Sequence, residues 1–301
     1  MSGRGVYLWI LLLYLTTWTG GAMASDQVWT VRMAGENRIS VENKNLYVDF
    51  SKKQAWSIRN IKYMGQEIVG EHGANGTVVN ATPRKGMNLK DPWIGTGHGK
   101  EDVTSFTVLL DNKRHDFKKG LALSGKVITV RKESTIGPFG HTAEITFPES
   151  GDCIIEKHSY TVLEDLNERF QFLYAFMHCN NNALAQWLAL LGDGKEQEGQ
   201  AGKKNNEFSL KQDIKGIIFY SEALSKGVAY VYPEVYKGAD TFKNSIWDRA
   251  YDNKLYFRPE VMGRDFNVGD KFEFSLKVTP FSAQPTMWKE TGRTLAGFDV
   301  K

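Results

Sequence analysis

Cysteine is nearly absent from this 301-residue chain, with two in all, so neither a multi-disulfide framework nor a zinc site built on CxxC pairs is available. Proline is also scarce, at eight, and no low-complexity or proline-rich linker divides the chain. The formal net charge is only +3, and Lys and Arg are scattered, the closest runs being Lys52-Lys53, Lys118-Lys119 and Lys203-Lys204. Such pairs belong to solvated surface, so no nucleic-acid partner is expected. There is no glycine-rich phosphate loop, metal box or catalytic-triad signature, and no cofactor or metal is expected.

Long apolar runs are missing too, save one. Arg4 precedes Val6 to Leu15, and a polar, small-residue stretch then ends in Ala22-Met23-Ala24. This is the layout of a secretory signal with an Ala-x-Ala cleavage site, and the run is short for a membrane span. The expectation is a signal peptide over 1–24, a single domain over 25–301, no stable membrane span after cleavage, and a secreted or periplasmic location. An oxidising compartment permits a disulfide between Cys153 and Cys179; two buried thiols are the alternative.

What is abundant is glycine, at 29, and aromatic residues, at 12%. Short alternating or aromatic-rich runs recur over 38–41, 46–50, 56–63, 104–110, 125–132, 141–147, 214–220, 228–232, 254–257 and 271–278, with turn residues between nearly all of them. Phe272, Phe274, Leu276 and Val278 alternate with polar neighbours, predicting one buried and one wet face. Only 182–191, which reads equally as a strand, and 286–295 suit short helices. The fold class expected is all-β, an antiparallel β-sandwich with at most one or two short helices.

Two further runs, Cys153 to Leu163 and Arg169 to Cys179, flank the polar Glu164-Asp165-Leu166-Asn167-Glu168 and predict a hairpin with the cysteines opposite one another. That register gathers Glu156, His158, Tyr160, Tyr174 and His178 on one face with Ile154, Val162, Phe170, Phe172 and Phe176. The same stripe serves equally well as sandwich core, with its histidines hydrogen-bonded inside. A long loop over 82–102 carries Trp93, His98 and Glu101, and loops of this length are commonly functional; His98 and Glu101 are also weak candidates for metal ligation. The glycine- and lysine-rich 192–206 reads as a mobile surface excursion. Asn75-Gly76-Thr77 and Asn80-Ala81-Thr82 match the N-glycosylation pattern.

The order of Val41 to Phe50, then Ile58 to Glu67, then many strands ending in Phe272 to Phe281, resembles the galactose mutarotase-like β-supersandwich, shared by sugar mutarotases, by a domain of several polysaccharide lyases and by parts of glycosidases. The resemblance covers about 36–281 as a pattern of strands, and it implies a carbohydrate ligand, such as a polysaccharide. A sugar needs flat aromatic surface beside fixed donors and acceptors. Trp93, His98, Glu101, His141, Glu156, Trp247, Tyr251 and Tyr256 are the expected binding residues. On a uronic-acid polymer, β-elimination needs a base, an acid and a cation at the carboxylate. His158 or His178, Tyr160 or Tyr174, and Arg249 or Lys254 are the candidates for these roles. A hydrolase would use two of Glu101, Glu144 and Glu156. A non-catalytic binding module, or a structural protein with the hairpin face buried, are the other classes.

Overall fold

In the computed structural model, the described residues are 28–70, 75–80, 93–96, 98, 100–115, 118–164, 172–210, 214–232, 244–257 and 267–298; of 79, 80 and 172–176 only the backbone is described. The strands are β1 (Trp29–Gly35), β2 (Arg38–Glu42), β3 (Leu46–Ser51), β4 (Ser57–Tyr63), β5 (Gln66–Val69), β6 (Gly76–Asn80), β7 (Trp93–Gly95) and β8 (Asp102–Leu110). They continue with β9 (Lys113–His115), β10 (Ala122–Gly125), β11 (Ile128–Ile136), β12 (Phe139–Phe147), β13 (Ile154–Val162), β14 (Phe172–Asn181), β15 (Gln186–Leu191) and β16 (Glu196–Gln200). Last come β17 (Glu207–Ser209), β18 (Ile214–Ser221), β19 (Lys226–Val231), β20 (Ser245–Asp248), β21 (Asp252–Phe257), β22 (Lys271–Ser282) and one α-helix, α1 (Trp288–Leu295).

Local chemistry explains many of the joints. Met64-Gly65 and Asp111-Asn112 are two-residue turns with both φ positive (49° and 79°, 48° and 64°). That handedness matches strand twist and closes β4–β5 and β8–β9 as tight hairpins. Gly137, at φ 53°, opens the two-residue link from β11 to β12. Among the described residues the strands form two antiparallel sheets. One has twelve strands in the order β10-β1-β2-β3-β4-β5-β14-β21-β20-β17, with β6 on β14 and β7 on β6. The other has ten, in the order β16-β15-β18-β19-β22-β13-β12-β11-β8-β9.

The main core lies between them, where Val41, Val48, Phe50 and Ile61 of the larger sheet meet Val130, Phe147, Phe219 and Val278 of the smaller. Burying each such side chain stabilises the fold by roughly 1.5–3 kcal/mol. The all-β sandwich is as expected, and so is the helix near the C-terminus: α1 lays Trp288 against Leu188, Ile218 and Tyr220 on the back of the ten-stranded sheet. Among the described residues no helix is long and apolar enough to cross a membrane. The leader expected over 1–24 lies outside the described residues.

Four expectations are corrected. β13 and β14 do not form a hairpin: β13 pairs with β12 and β22 in one sheet, β14 with β21, β5 and β6 in the other. Alternation had told which residues share a face, but a face can be completed by any neighbour, and here the chain changes sheets between the two strands. Cys153 and Cys179 are therefore not cross-strand partners, and both are buried thiols outside any disulfide. The run 182–191, read equally as helix or strand, ends in strand β15, while 192–206, expected as a loose excursion, contains the edge strand β16 paired to it. Asn75 is 1% exposed, donating to the Ile58 carbonyl (3.0 Å) and accepting from the Cys179 amide (2.7 Å), so its sequon is closed to modification in the folded protein.

Candidate functional site

The residues singled out in the sequence fall into two separate places. The first is inside the sandwich. Regular alternation on β11 buries Ile128, Val130, Lys132, Ser134 and Ile136, so a lysine and a serine occupy core positions. β12 adds His141 beside them, and β13 adds Glu156, His158 and Tyr160, all 4% exposed or less. Glu101, just before β8, anchors the group. Its Oε1 takes Lys132 Nζ at 2.6 Å, Ser134 Oγ at 2.8 Å and His141 Nδ1 at 3.4 Å, and its Oε2 takes Thr96 Oγ1 at 2.5 Å. His141 Nε2 then meets His158 Nδ1 at 3.1 Å, and His158 Nε2 meets Glu156 Oε2 at 3.4 Å. Tyr160 bridges to the other sheet through Thr77 (2.6 Å), and Lys132 through Ser57 (3.1 Å).

Electrostatics set the protonation of this chain. Burial pushes the Glu101 carboxyl up, but hydrogen bonding from His141 and the Lys132 charge outweigh it and hold it at about 2. Burial lowers His141 to about 4 and His158 well below its usual value, the neighbouring His141 and Lys132 adding to the effect on His158. Among the described residues no cation offsets the burial of Glu156, and burial raises it to about 8. At neutral pH the group is one ion pair, Glu101 with Lys132, and a neutral string His141–His158–Glu156. Tyr160, His178 (lowered to about 3), Tyr230 and Tyr232 are likewise neutral, through burial first.

The second place is the outer face of the twelve-stranded sheet. Leu255 and Phe257 of β21 belong to the core, so Lys254 and Tyr256 point the other way. Register puts Cys179 of β14 and Trp247 of β20 on either side of Lys254. Tyr256 packs on Val78, Met177 and Cys179, with Trp93 beside them, and His98 is stacked 6.1 Å from the Trp93 ring. Arg249 lies over the Trp247 indole at 5.1 Å and 3.7 Å from Asp252 Oδ1, while Trp247 Nε1 donates to Asn205 at 2.9 Å. Trp93, Trp247, Arg249, Lys254 and Tyr256 are all half-buried, and Tyr251, in the β20–β21 turn, is 63% exposed. Burial raises the Cys179 thiol to about 12, with Lys254, Asp252 and Arg249 close enough to act on it. That thiol is inert at neutral pH.

Thus Glu101, His141, Glu156, His158 and Tyr160 come together in the interior, with His178 facing Tyr230 across the sheets (4.4 Å between rings). Trp93, His98, Arg249, Trp247, Lys254 and Tyr256 come together outside, while Tyr251 is exposed in the turn after β20. Tyr174 belongs to β14, opposite Val78, but its side chain is outside the described residues. Glu144 is on the exposed alternation of β12, paired with Arg131 at 3.2 Å, away from both groups. Sequence reasoning missed Lys132, Ser134, Thr77 and Thr96. For the first two the signal was present, as polar residues at core positions of an otherwise apolar alternation. No cluster of metal-ligating side chains occurs among the described residues.

No family model matches the chain, and no curated protein matches it. Solved structures do. A putative aldose 1-epimerase from Klebsiella pneumoniae subsp. pneumoniae matches with a TM-score of 0.48 at 12% identity, over 92% of this chain and 90% of that one. A galactose mutarotase-like protein from Clostridium acetobutylicum matches with a TM-score of 0.47 at 9% identity, over 86% of this chain and 100% of that one. The galactosidase domain of an alpha-galactosidase-sucrose kinase matches with a TM-score of 0.48 at 8% identity, over 86% of this chain, which spans only 41% of that one. The likeness to galactose mutarotase-like proteins, expected from the order of the strands, is a likeness of fold.

Proposed function

We propose that the protein binds carbohydrate on the outer face of β14, β21 and β20. The observation that carries this reading is the row Cys179–Lys254–Trp247 with Tyr256 and Trp93 alongside, half-exposed aromatic surface next to fixed cations. Pyranose rings offer an apolar face to such side chains, and their hydroxyls and carboxylates a set of acceptors to Lys and Arg. Two cations, Arg249 and Lys254, favour a glycan bearing carboxylates, that is, a uronic-acid polymer. Secretion with loss of residues 1–24 belongs to the same proposal, since such polymers are met outside the cell; N-terminal sequencing of the exported protein checks it.

The sharper form is a polysaccharide lyase. His98 is the histidine beside Trp93, so it takes the role of base, with Tyr256 as acid and Arg249 and Lys254 neutralising the carboxylate. His158, His178 and Tyr160 are buried inside the sandwich; the base is therefore not assigned to them.

The experiment is affinity electrophoresis and calorimetry with polygalacturonate, alginate and amylose, together with absorbance at about 235 nm, where an elimination product absorbs. Binding of an acidic polymer that Trp247→Ala and Lys254→Ala each weaken about tenfold, with amylose ignored, is the expected result. A rise in absorbance abolished by His98→Ala establishes the lyase form; binding without a rise leaves a binding module. A folded protein that ignores all three polymers overturns the proposal.

A further inference from the structure

The interior chain has a property that binding on the outer face does not use. A neutral imidazole donates from one nitrogen and accepts at the other. Starting from the ionised Glu101, which accepts only, His141 must carry its proton on Nδ1, so its Nε2 accepts. His158 must then donate from Nδ1, leaving Nε2 to accept from a protonated Glu156. Every hydrogen bond therefore runs in one direction, from Glu156 in the core to Glu101. Distances of 3.4, 3.1 and 3.4 Å connect the four side chains.

One group allows the opposite direction. The Ser134 hydroxyl lies 2.8 Å from Glu101 Oε1 and 3.3 Å from His141 Nδ1, so by rotating its O–H it can serve either. We propose that Glu101, Ser134, His141, His158 and Glu156 form a reversible proton wire, by which the buried Glu156 loses its proton to solvent without the sandwich opening. The balance is as follows. Glu156 O–H passes its proton to His158 Nε2, His158 Nδ1–H passes its own to His141 Nε2, and the His141 Nδ1 proton leaves past Glu101 to hydroxide, forming water. Ser134 turns to donate to the vacated Nδ1. Glu101 keeps Lys132 and Thr96, and Glu156, now an anion, accepts from His158 Nε2–H.

The surroundings suit this route. Glu101 and Thr96 line the inner wall of a cleft of about 660 Å³, where the proton can be handed over. Behind them Lys132, His141, Glu156 and His158 border a void of about 10 Å³, room for about one water at most. Between cleft and void stands Trp56, in the left-handed region at φ 54° after Ala55 at φ 50°, and stacked on Phe106 at 4.3 Å. A bulky residue in that conformation is held against its own preference, and here it separates the void from bulk water. Glu156 Oε1 has no hydrogen-bond partner among the described residues. The titratable groups that act on Glu156 or on the histidines beside it are Glu101, Lys132, His141, His158 and Tyr160 from its own side, Tyr230 and Tyr232 from and just after β19, and His178 from β14. Lys132 is the one cation among them, and its partner is Glu101.

The test is the tautomeric state of the two histidines, read from ¹⁵N shifts of the imidazole nitrogens as pH rises. His141 and His158 should both be Nδ1–H near neutral pH and both become Nε2–H with one shared midpoint, near the value of about 8 at which Glu156 ionises. Glu156→Gln, whose amide has no proton to give up in this range, should remove the pH-dependent transition; Ser134→Ala should move it up by one pH unit or more. A histidine found as Nε2–H at neutral pH, a transition that survives Glu156→Gln, or unfolding near pH 8 in place of tautomer exchange would each overturn the proposal.

Discussion

Two regions of this molecule carry the same kinds of side chain, aromatic rings, cations and carboxylates, in opposite settings. Inside, the side chains of Lys132, Glu101 and two histidines are buried and joined by hydrogen bonds, so charge is cancelled locally and the rings stack: His141 lies on Tyr160 at 4.6 Å and His158 on Phe274 at 4.9 Å. Outside, Arg249, Lys254, Trp247 and Tyr256 keep part of their surface in solvent. The interior group is a commitment of the fold, because removing one member strands another in low dielectric. The outer group keeps contact with solvent, so altering it should cost folding little.

The comparison can be broken first at Lys132. Lys132→Met leaves the Glu101 carboxylate buried without its cation and should destabilise the protein by about 3–5 kcal/mol in urea unfolding. A loss under about 1 kcal/mol would show that the interior pair is dispensable. Next in size is the pH profile of stability. Burial raises Glu156 to about 8 in the folded protein against an ordinary value of 4.5, so its contribution is complete below pH 4.5 and is lost as pH rises toward 8. His141 and His178 are depressed to about 4 and 3 from 6.5, so theirs is complete above 6.5 and lost as pH falls toward those values. Thermal melts should therefore fall away on both sides of mildly acidic pH. Glu156→Gln should flatten the alkaline side alone, an effect on the order of a few kcal/mol.

On the outer face, Trp247→Ala or Lys254→Ala should change unfolding free energy by less than about 1 kcal/mol, the range of exposed positions, while weakening glycan binding. An equal loss of stability would erase the distinction between the two regions. Smallest of all, dithiothreitol should not shift the melting midpoint, since neither thiol is bonded.

The elements were more legible than their assembly. Strands at 46–50, 214–220 and 271–278 were marked by alternation and turn residues, and each is present within a few residues of its expected bounds. Short or polar strands such as β9, β16 and β17 were invisible, since Glu196–Gln200 has no apolar stripe and is held by pairing with β15. The even-numbered stripe on β13 was read correctly as one face. Its neighbour was not, because β22, more than a hundred residues away, and not β14, completes it. For the same reason the candidate residues split in two: alternation locates a face, but which sheet buries it depends on contacts distant in sequence.

That distant pairing governs how the chain is made. The strands β1 to β5 are contiguous, but the edge of β5 is covered by β14, about a hundred residues later, and β14 in turn by β21. On a ribosome adding about 5–20 residues per second, a half-built sheet with an open edge waits several seconds for its next strand. High contact order slows folding further. The topology thus leaves the β5 edge without its neighbour until β14 is available, and an unpaired strand edge is a surface on which incomplete chains can associate.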